Sequence, residues 1–199
     1  GCDAFDAYLG PMRYFGAIVG PVANRIAGGR MVLGGQRHEL DRNEAGRTTL
    51  HGGSDGFGTS NWRITGLTGS SVTLALHRPD GLGGFPGSLE VEARYTLGEG
   101  GALTLDIAAT TDQETVFAPA FHGYWSLDGQ PDLGGHRLTV AAETYLPVDS
   151  AKIPEGAPQP VAGTVFDHRT PRTPDPGIDH NFCLSTERGT LRHACTLEA

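Results

Sequence analysis

The sequence predicts an all-β chain, a large antiparallel β-sandwich, on three observations. Two runs alternate apolar and polar residues at the period of a half-buried strand: Leu89, Val91, Ala93, Tyr95 and Leu97, then Leu103, Leu105, Ile107 and Ala109. The 30 glycines and 13 prolines are dispersed among such runs and not massed in repeats, the pattern of a chain with many turns. No stretch carries a helical apolar period. A length of 199 residues favours a single domain over residues 1–199 with enough chain for a sizeable core.

Taken in order, the first dozen residues carry no signal. Tyr14 to Arg30 is apolar except for Asn24 and Arg25. A guanidinium in such a run needs a partner, because an uncompensated buried charge is very costly. Arg30 to Leu40 reads as a hairpin turning at Gly34-Gly35, where glycine supplies the positive φ. Residues 41 to 60 form a polar, glycine-rich loop carrying His51 and Phe57, and binding groups concentrate on such loops. Trp62 to Leu67 and Ser71 to His77 follow as strands, the second with Val72, Leu74 and Leu76 on one face. After the loop Pro79 to Gly87, the two alternating runs are joined by the Gly98–Gly101 turn and form an antiparallel pair. Leu138 to Ala141 is a short strand, and Tyr145 to Pro176 is a proline-rich coil ordered by Ile153, Val161, Val165 and Phe166. A last strand starts at Cys183-Leu184.

Composition excludes several function classes. A formal net charge of −8 with scattered arginines argues against a nucleic-acid partner. A single lysine, Lys152, makes Schiff-base chemistry unattractive. No apolar run approaches the ~20 residues of a membrane span, and Gly1 to Phe5 shows no secretory leader. Cys2, Cys183 and Cys195 form no CxxC pair, which suggests free thiols in a reducing, cytoplasmic setting. HExxH, P-loop and GxGxxG patterns are missing.

The stretch Ala120 to Gly129 carries the most chemistry. It sets His122 among Phe121, Tyr124 and Trp125 and closes on the Asp128-Gly129 turn. Aromatic rings suit the C–H face of a sugar, and an imidazole suits proton transfer to a ring or hydroxyl oxygen. Taken alone, the stretch fits a core histidine bonded to a carbonyl equally well. A second histidine in Leu50-His51-Gly52-Gly53, where glycines allow close backbone approach, favours the functional reading. Arginine offers a fork of donors for vicinal hydroxyls, and a carboxylate such as Asp179 accepts from two hydroxyls. Arg25 pairing with a carboxylate and Asp179 capping a turn are the structural alternatives. His180, adjacent to Asp179, reads as structural, and His38, His77, His136, His168 and His193 read as surface or loop residues. Without paired spacing, a zinc site from His51, His122 and Asp179 is disfavoured.

These anchors sit in phrases that resemble the aldose 1-epimerase (galactose mutarotase) family. The phrases are Tyr14-Phe15-Gly16, Val22-Ala23-Asn24-Arg25-Ile26, Leu50-His51-Gly52-Gly53, Gly84-Phe85-Pro86-Gly87, His122-Gly123-Tyr124-Trp125-Ser126-Leu127, Tyr145-Leu146-Pro147-Val148-Asp149, Pro160-Val161-Ala162-Gly163-Thr164 and Ile178-Asp179-His180-Asn181-Phe182. They run in the family's order from about Tyr14 to about Leu184. The resemblance implies a galactose mutarotase-like supersandwich that interconverts the α and β anomers of a free monosaccharide such as galactose or glucose. It implies no cofactor, since the proton shuffle needs none. In the family one histidine protonates the ring oxygen while a glutamate takes the C1 hydroxyl proton. By position His122 resembles the acid and His51 the second histidine holding the sugar, while Arg25 and Asp179 resemble the hydroxyl-binding pair. Asn24 accompanies Arg25, and Trp125 is a stacking candidate. A noncatalytic carbohydrate-binding β-sandwich is the alternative.

Three positions depart from the family wording: Pro21 stands for an arginine, Phe121 for the asparagine before the acid histidine, and Ser126 for an asparagine. Opening strands are missing, and the only glutamates after Asp179 are Glu187 and Glu198, neither in a base motif. The expectation is therefore a domain incomplete at both ends, with no general base assigned.

Overall fold

The computed structural model describes residues 2–186 and 189–199. Glu187, one of the two late glutamates, lies outside the described residues. The chain is all-β, and every pairing between its strands is antiparallel among the described residues. It divides into two compact units, Gly1–Tyr124 and Trp125–Ala199. No helix of the described residues is long and apolar enough to cross a membrane.

The first unit holds ten strands: β1 (Ala17–Val19), β2 (Arg25–Ile26), β3 (Arg30–Leu33), β4 (Gln36–Glu39), β5 (Thr49–Leu50), β6 (Arg63–Leu67), β7 (Ser71–Arg78), β8 (Leu89–Leu97), β9 (Leu103–Thr111) and β10 (Ala120–His122). Strands β6 to β9 form a four-stranded meander in sequence order. Its register sets Leu76 opposite Val91 and Leu74 opposite Ala93, with Ala109 and Ile107 across the next interface. Alternation thus brings one apolar face together, as the sequence pattern requires. Leu76, Leu89, Val91 and Ala93 bury against Ile18 of β1 and the Phe57 ring, with Trp62, Tyr95, Leu105 and Ile107 packed around them. The Trp62 indole N–H donates to the Phe57 carbonyl at 3.0 Å. The Gly34-Gly35 turn joins β3 to β4 as expected, with both glycines at positive φ.

Arg78, at the end of β7, is buried, and among the described residues its guanidinium pairs with no carboxylate. It donates to the Asp55 carbonyl at 2.5 Å and the Leu82 carbonyl at 2.6 Å, and its guanidinium stands over the Phe85 ring. Burial pushes its pKa down, and nearby Asp55 opposes that shift. The arginine ties the 51–56 loop to the 79–87 loop, giving the second loop a structural task.

The second unit holds β11 (Arg137–Val140), β12 (Thr144–Tyr145), β13 (Gln159–Pro160), β14 (Phe182–Cys183) and β15 (Cys195–Glu198). Strand β11 pairs with β15, and β12 lies between β13 and β14. Two histidines read as surface or loop residues lie outside the strands but are buried, which corrects the surface half of that reading. His136 accepts from the Leu127 N–H at 2.9 Å, and His168 Nδ1 lies 3.2 Å from the Leu138 carbonyl. Alternation along β11 carries His136 inward with Leu138 and Val140. His180 stands outside any strand. It packs against Phe166 and Tyr145, and its Nδ1 accepts from the Asp179 N–H at 3.2 Å. Burial, then the Lys152 charge, lowers its pKa, while Asp179 acts in the opposite sense.

Candidate active site

Both family-like histidines of the first unit hang from β1. Strand β10 pairs with it so that His122 lies opposite Ala17, and the Gly16 N–H donates to the His122 carbonyl at 2.9 Å. The other end of β1 supports the His51 loop. The Phe57 N–H donates to the Gly20 carbonyl at 2.9 Å, and Gly52 packs directly on that carbonyl. Gly52 has φ +90, and a Cβ there would overlap the Gly20 carbonyl oxygen. The His-Gly sequence is therefore the form that lets the loop lie against β1.

The result brings the two imidazoles together. Their centroids are 5.1 Å apart with the planes at 89°. Tyr14 stacks on His122 at 5.5 Å and Tyr124 at 5.1 Å. Tyr14 also meets His51 edge-on at 4.8 Å, and Tyr124 stacks in turn on Phe15 at 3.9 Å. Sequence reasoning set Tyr124 among the rings beside His122, in keeping with residues two apart on an extended chain sharing a face; it gave Tyr14 no part there.

Strand β2 and strand β5 set the second half of the cluster. Arg25 lies opposite Leu50, and the ladder continues with the His51 N–H donating to the Asn24 carbonyl at 2.9 Å. The Asn24 N–H donates back to His51 Nδ1 at 3.0 Å. A nitrogen that accepts from an N–H carries no proton of its own, so the neutral ring has its proton on Nε2. Both residues adopt left-handed backbone, φ +63 at Asn24 and φ +54 at His51. Such conformations cost about 1–2 kcal/mol for an ordinary L-residue and cluster where a site needs them.

Arg25 has the carboxylate partner that its apolar setting demanded. Its Nε and Nη2 each donate to Glu44 at 2.8 Å, and its Nη1 lies 3.5 Å from the Asn24 side-chain oxygen. The Thr48 hydroxyl donates to Glu44 Oε2 at 2.6 Å. The Arg25 hydrogen bonds, then that of Thr48 and the Arg25 charge, hold Glu44 below the ordinary carboxylate range against its partial burial. Beside His51 a hollow of about 230 Å3 is lined by Arg13, Tyr14, Asn43, His51, Ser54 and Thr59.

The two remaining candidates belong to the second unit. Trp125, its first residue, is 63% exposed. Asp179 is exposed, with Lys152 Nζ 3.7 Å from its Oδ2.

The geometry of the first unit thus presents an imidazole stacked with two phenols, a second imidazole in a defined tautomer, and an anchored guanidinium. The sequence model of the family described as aldose 1-epimerase matches residues 1–198. The chain belongs to the aldose 1-epimerase family. It is similar to the galactose mutarotase of Mus musculus, 40% identical over 98% of this chain and 61% of the relative's length. It is also similar to the aldose 1-epimerase of Escherichia coli, 36% identical over 85% of this chain and 49% of that protein. The crystal structure of galactose 1-epimerase from Lactobacillus acidophilus matches with a TM-score of 0.84 at 29% identity, over 99% of this chain and 62% of that one. The expected fold class, an all-β galactose mutarotase-like sandwich, is thereby established. The chain spans 61%, 57% and 58% of the length of the mouse, rat and human mutarotases it matches.

Proposed function

We propose that the chain carries the acid and substrate-holding part of an aldose 1-epimerase site acting on a free hexose such as galactose or glucose. The observation that carries this reading is the His51–His122 pair at 5.1 Å, with His51 locked by Asn24. In this reading His122 gives its proton to the ring oxygen as the C1–O5 bond breaks. A base takes the C1 hydroxyl proton, the role the family gives to a glutamate, and the open-chain aldehyde forms. Rotation about C1–C2 and reclosure with the protons returned yield the other anomer. No cofactor enters this balance.

The remaining roles follow from donor chemistry. His51 presents an Nε2 proton to a sugar oxygen, and Arg25 and Asn24 address hydroxyl groups. The acceptor and stacking roles of Asp179 and Trp125 rest on the family resemblance alone. We read both units as parts of one mutarotase-like domain, because the family match runs through both. A cytoplasmic setting goes with this reading, and the free thiols of Cys2, Cys183 and Cys195 support it.

Polarimetry of freshly dissolved α-D-galactose and α-D-glucose with the purified chain tests the proposal. Acceleration over the spontaneous rate, falling about 10²–10⁴-fold in His122→Ala as for loss of a general acid, would carry the epimerase reading and show that these residues also supply a base. A folded chain that binds these sugars without accelerating mutarotation would point to a sugar-binding module or to an epimerase part that lacks its base.

A further inference from the structure

We propose that Glu44 is a positioning residue for this site, holding Arg25 in its sugar-facing orientation; the inference rests on the epimerase reading above. Arg25 arrives on a two-residue strand with a long, rotatable side chain. Glu44 removes that freedom by accepting from Nε and Nη2 at once, each at 2.8 Å. Fork-to-fork pairing of this kind fixes direction as well as distance. It turns the Nη1 corner toward the Asn24 side-chain oxygen.

The carboxylate is itself held. The backbones of Glu44 and Thr48 exchange N–H···O bonds at 3.2 and 3.3 Å, and the Thr48 hydroxyl closes on Oε2. The neighbouring Asn43 side chain clasps the backbone of Leu50, donating to its carbonyl at 3.0 Å and accepting from its N–H at 2.8 Å. Leu50 is the residue opposite Arg25 on the paired strand. The loop therefore sets the carboxylate against the guanidinium from a frame shared with β5. A line of contacts runs from Thr48 through Glu44, Arg25 and Asn24 to His51. With three donors on its oxygens, this carboxylate is suited to holding a cation and not to abstracting a proton.

Glu44→Gln keeps the volume but leaves one acceptor for two donors and turns an amide N–H₂ against the other. The galactose KM is expected to rise about tenfold with kcat within about threefold, and Glu44→Asp is expected to recover part of the loss. Independently of activity, NMR exchange of the Arg25 Nε proton with water is expected to be slow in the unaltered chain and at least tenfold faster in Glu44→Gln. Thr48→Val, which removes one hydrogen bond and no charge, is expected to give an intermediate exchange rate, and it decides the matter should Glu44→Gln not fold. Unchanged Arg25 exchange in the variants overturns the positioning role. If the unaltered chain neither binds these sugars nor accelerates mutarotation, the epimerase reading fails, while the Arg25 exchange rates still decide what Glu44 holds.

Discussion

Gly52 offers the sharpest test of how the His51 loop is built. Replacing it by alanine introduces two separable penalties. The first is backbone strain, because alanine must adopt φ +90, at a cost of about 1–2 kcal/mol. The second is steric, because the new methyl overlaps the Gly20 carbonyl oxygen and comes within 2.8 Å of Pro21 Cδ. Overpacking of that sort costs about 1–3 kcal/mol even when neighbours shift. The sum is about 2–5 kcal/mol, or a fall in Tm of about 4–20 °C at about 2–4 °C per kcal/mol. Gly35→Ala is the control, since Gly35 has φ +76 but open space around the new methyl. Thermal unfolding followed by circular dichroism should place Gly52→Ala at least about 2 °C below Gly35→Ala. A shift of about 1 Å at His51 also predicts loss of about 10²-fold in mutarotation rate for Gly52→Ala alone. Equal Tm values for the two variants would refute the claim that Gly52 is required by its approach to β1.

Other consequences follow from the same geometry. Phe57→Ala empties a ring buried against Ile18, Leu76, Leu89 and Val91 and should cost about 3–5 kcal/mol, read from the denaturant midpoint. Tyr14→Leu removes one of the two rings stacked on His122 and should lower kcat about 2–10-fold without unfolding the chain. Long-range nitrogen–proton NMR of His51 at neutral pH should show the proton on Nε2, and a proton on Nδ1 would contradict the Asn24 contact. Glu44 has a depressed pKa, so its contribution to stability is complete above the ordinary glutamate value of 4.5 and disappears as pH falls through its folded value. Acid unfolding of Glu44→Gln should therefore lack that part of the pH dependence shown by the unaltered chain.

The elements legible in the sequence are those whose period is local. Leu89–Leu97 matches its expected bounds because alternation is continuous there, and β9 runs on to Thr111 beyond the last apolar residue of its pattern. The Gly34-Gly35 hairpin was readable from its turn chemistry. Strand β15 was not, because the alternation of Cys195–Glu198 spans only four residues and the strand is defined by its partner β11. The burial of His136 was hidden by its polar neighbours Gly135 and Arg137, whereas strand alternation turns it away from them. At the site, the need of Arg25 for a carboxylate was legible from its apolar run. The identity of that carboxylate was not, since Glu44 is 19 residues away and reaches Arg25 through a loop. The tyrosines around His122 were likewise invisible as a pair, because Tyr14 reaches the imidazole only through the β1–β10 pairing.

The contacts also separate two histidines that share a neighbourhood. His51 commits Nδ1 to the Asn24 N–H, so a second proton on its ring would set donor against donor and cost that hydrogen bond. Asn24 is held in turn by the His51 N–H at its carbonyl, so the cost would spread into the β2–β5 ladder that carries Arg25. His122 is restrained differently, by the two tyrosine rings stacked on it. The proposed division between a sugar-holding His51 and an acid His122 is in keeping with that difference.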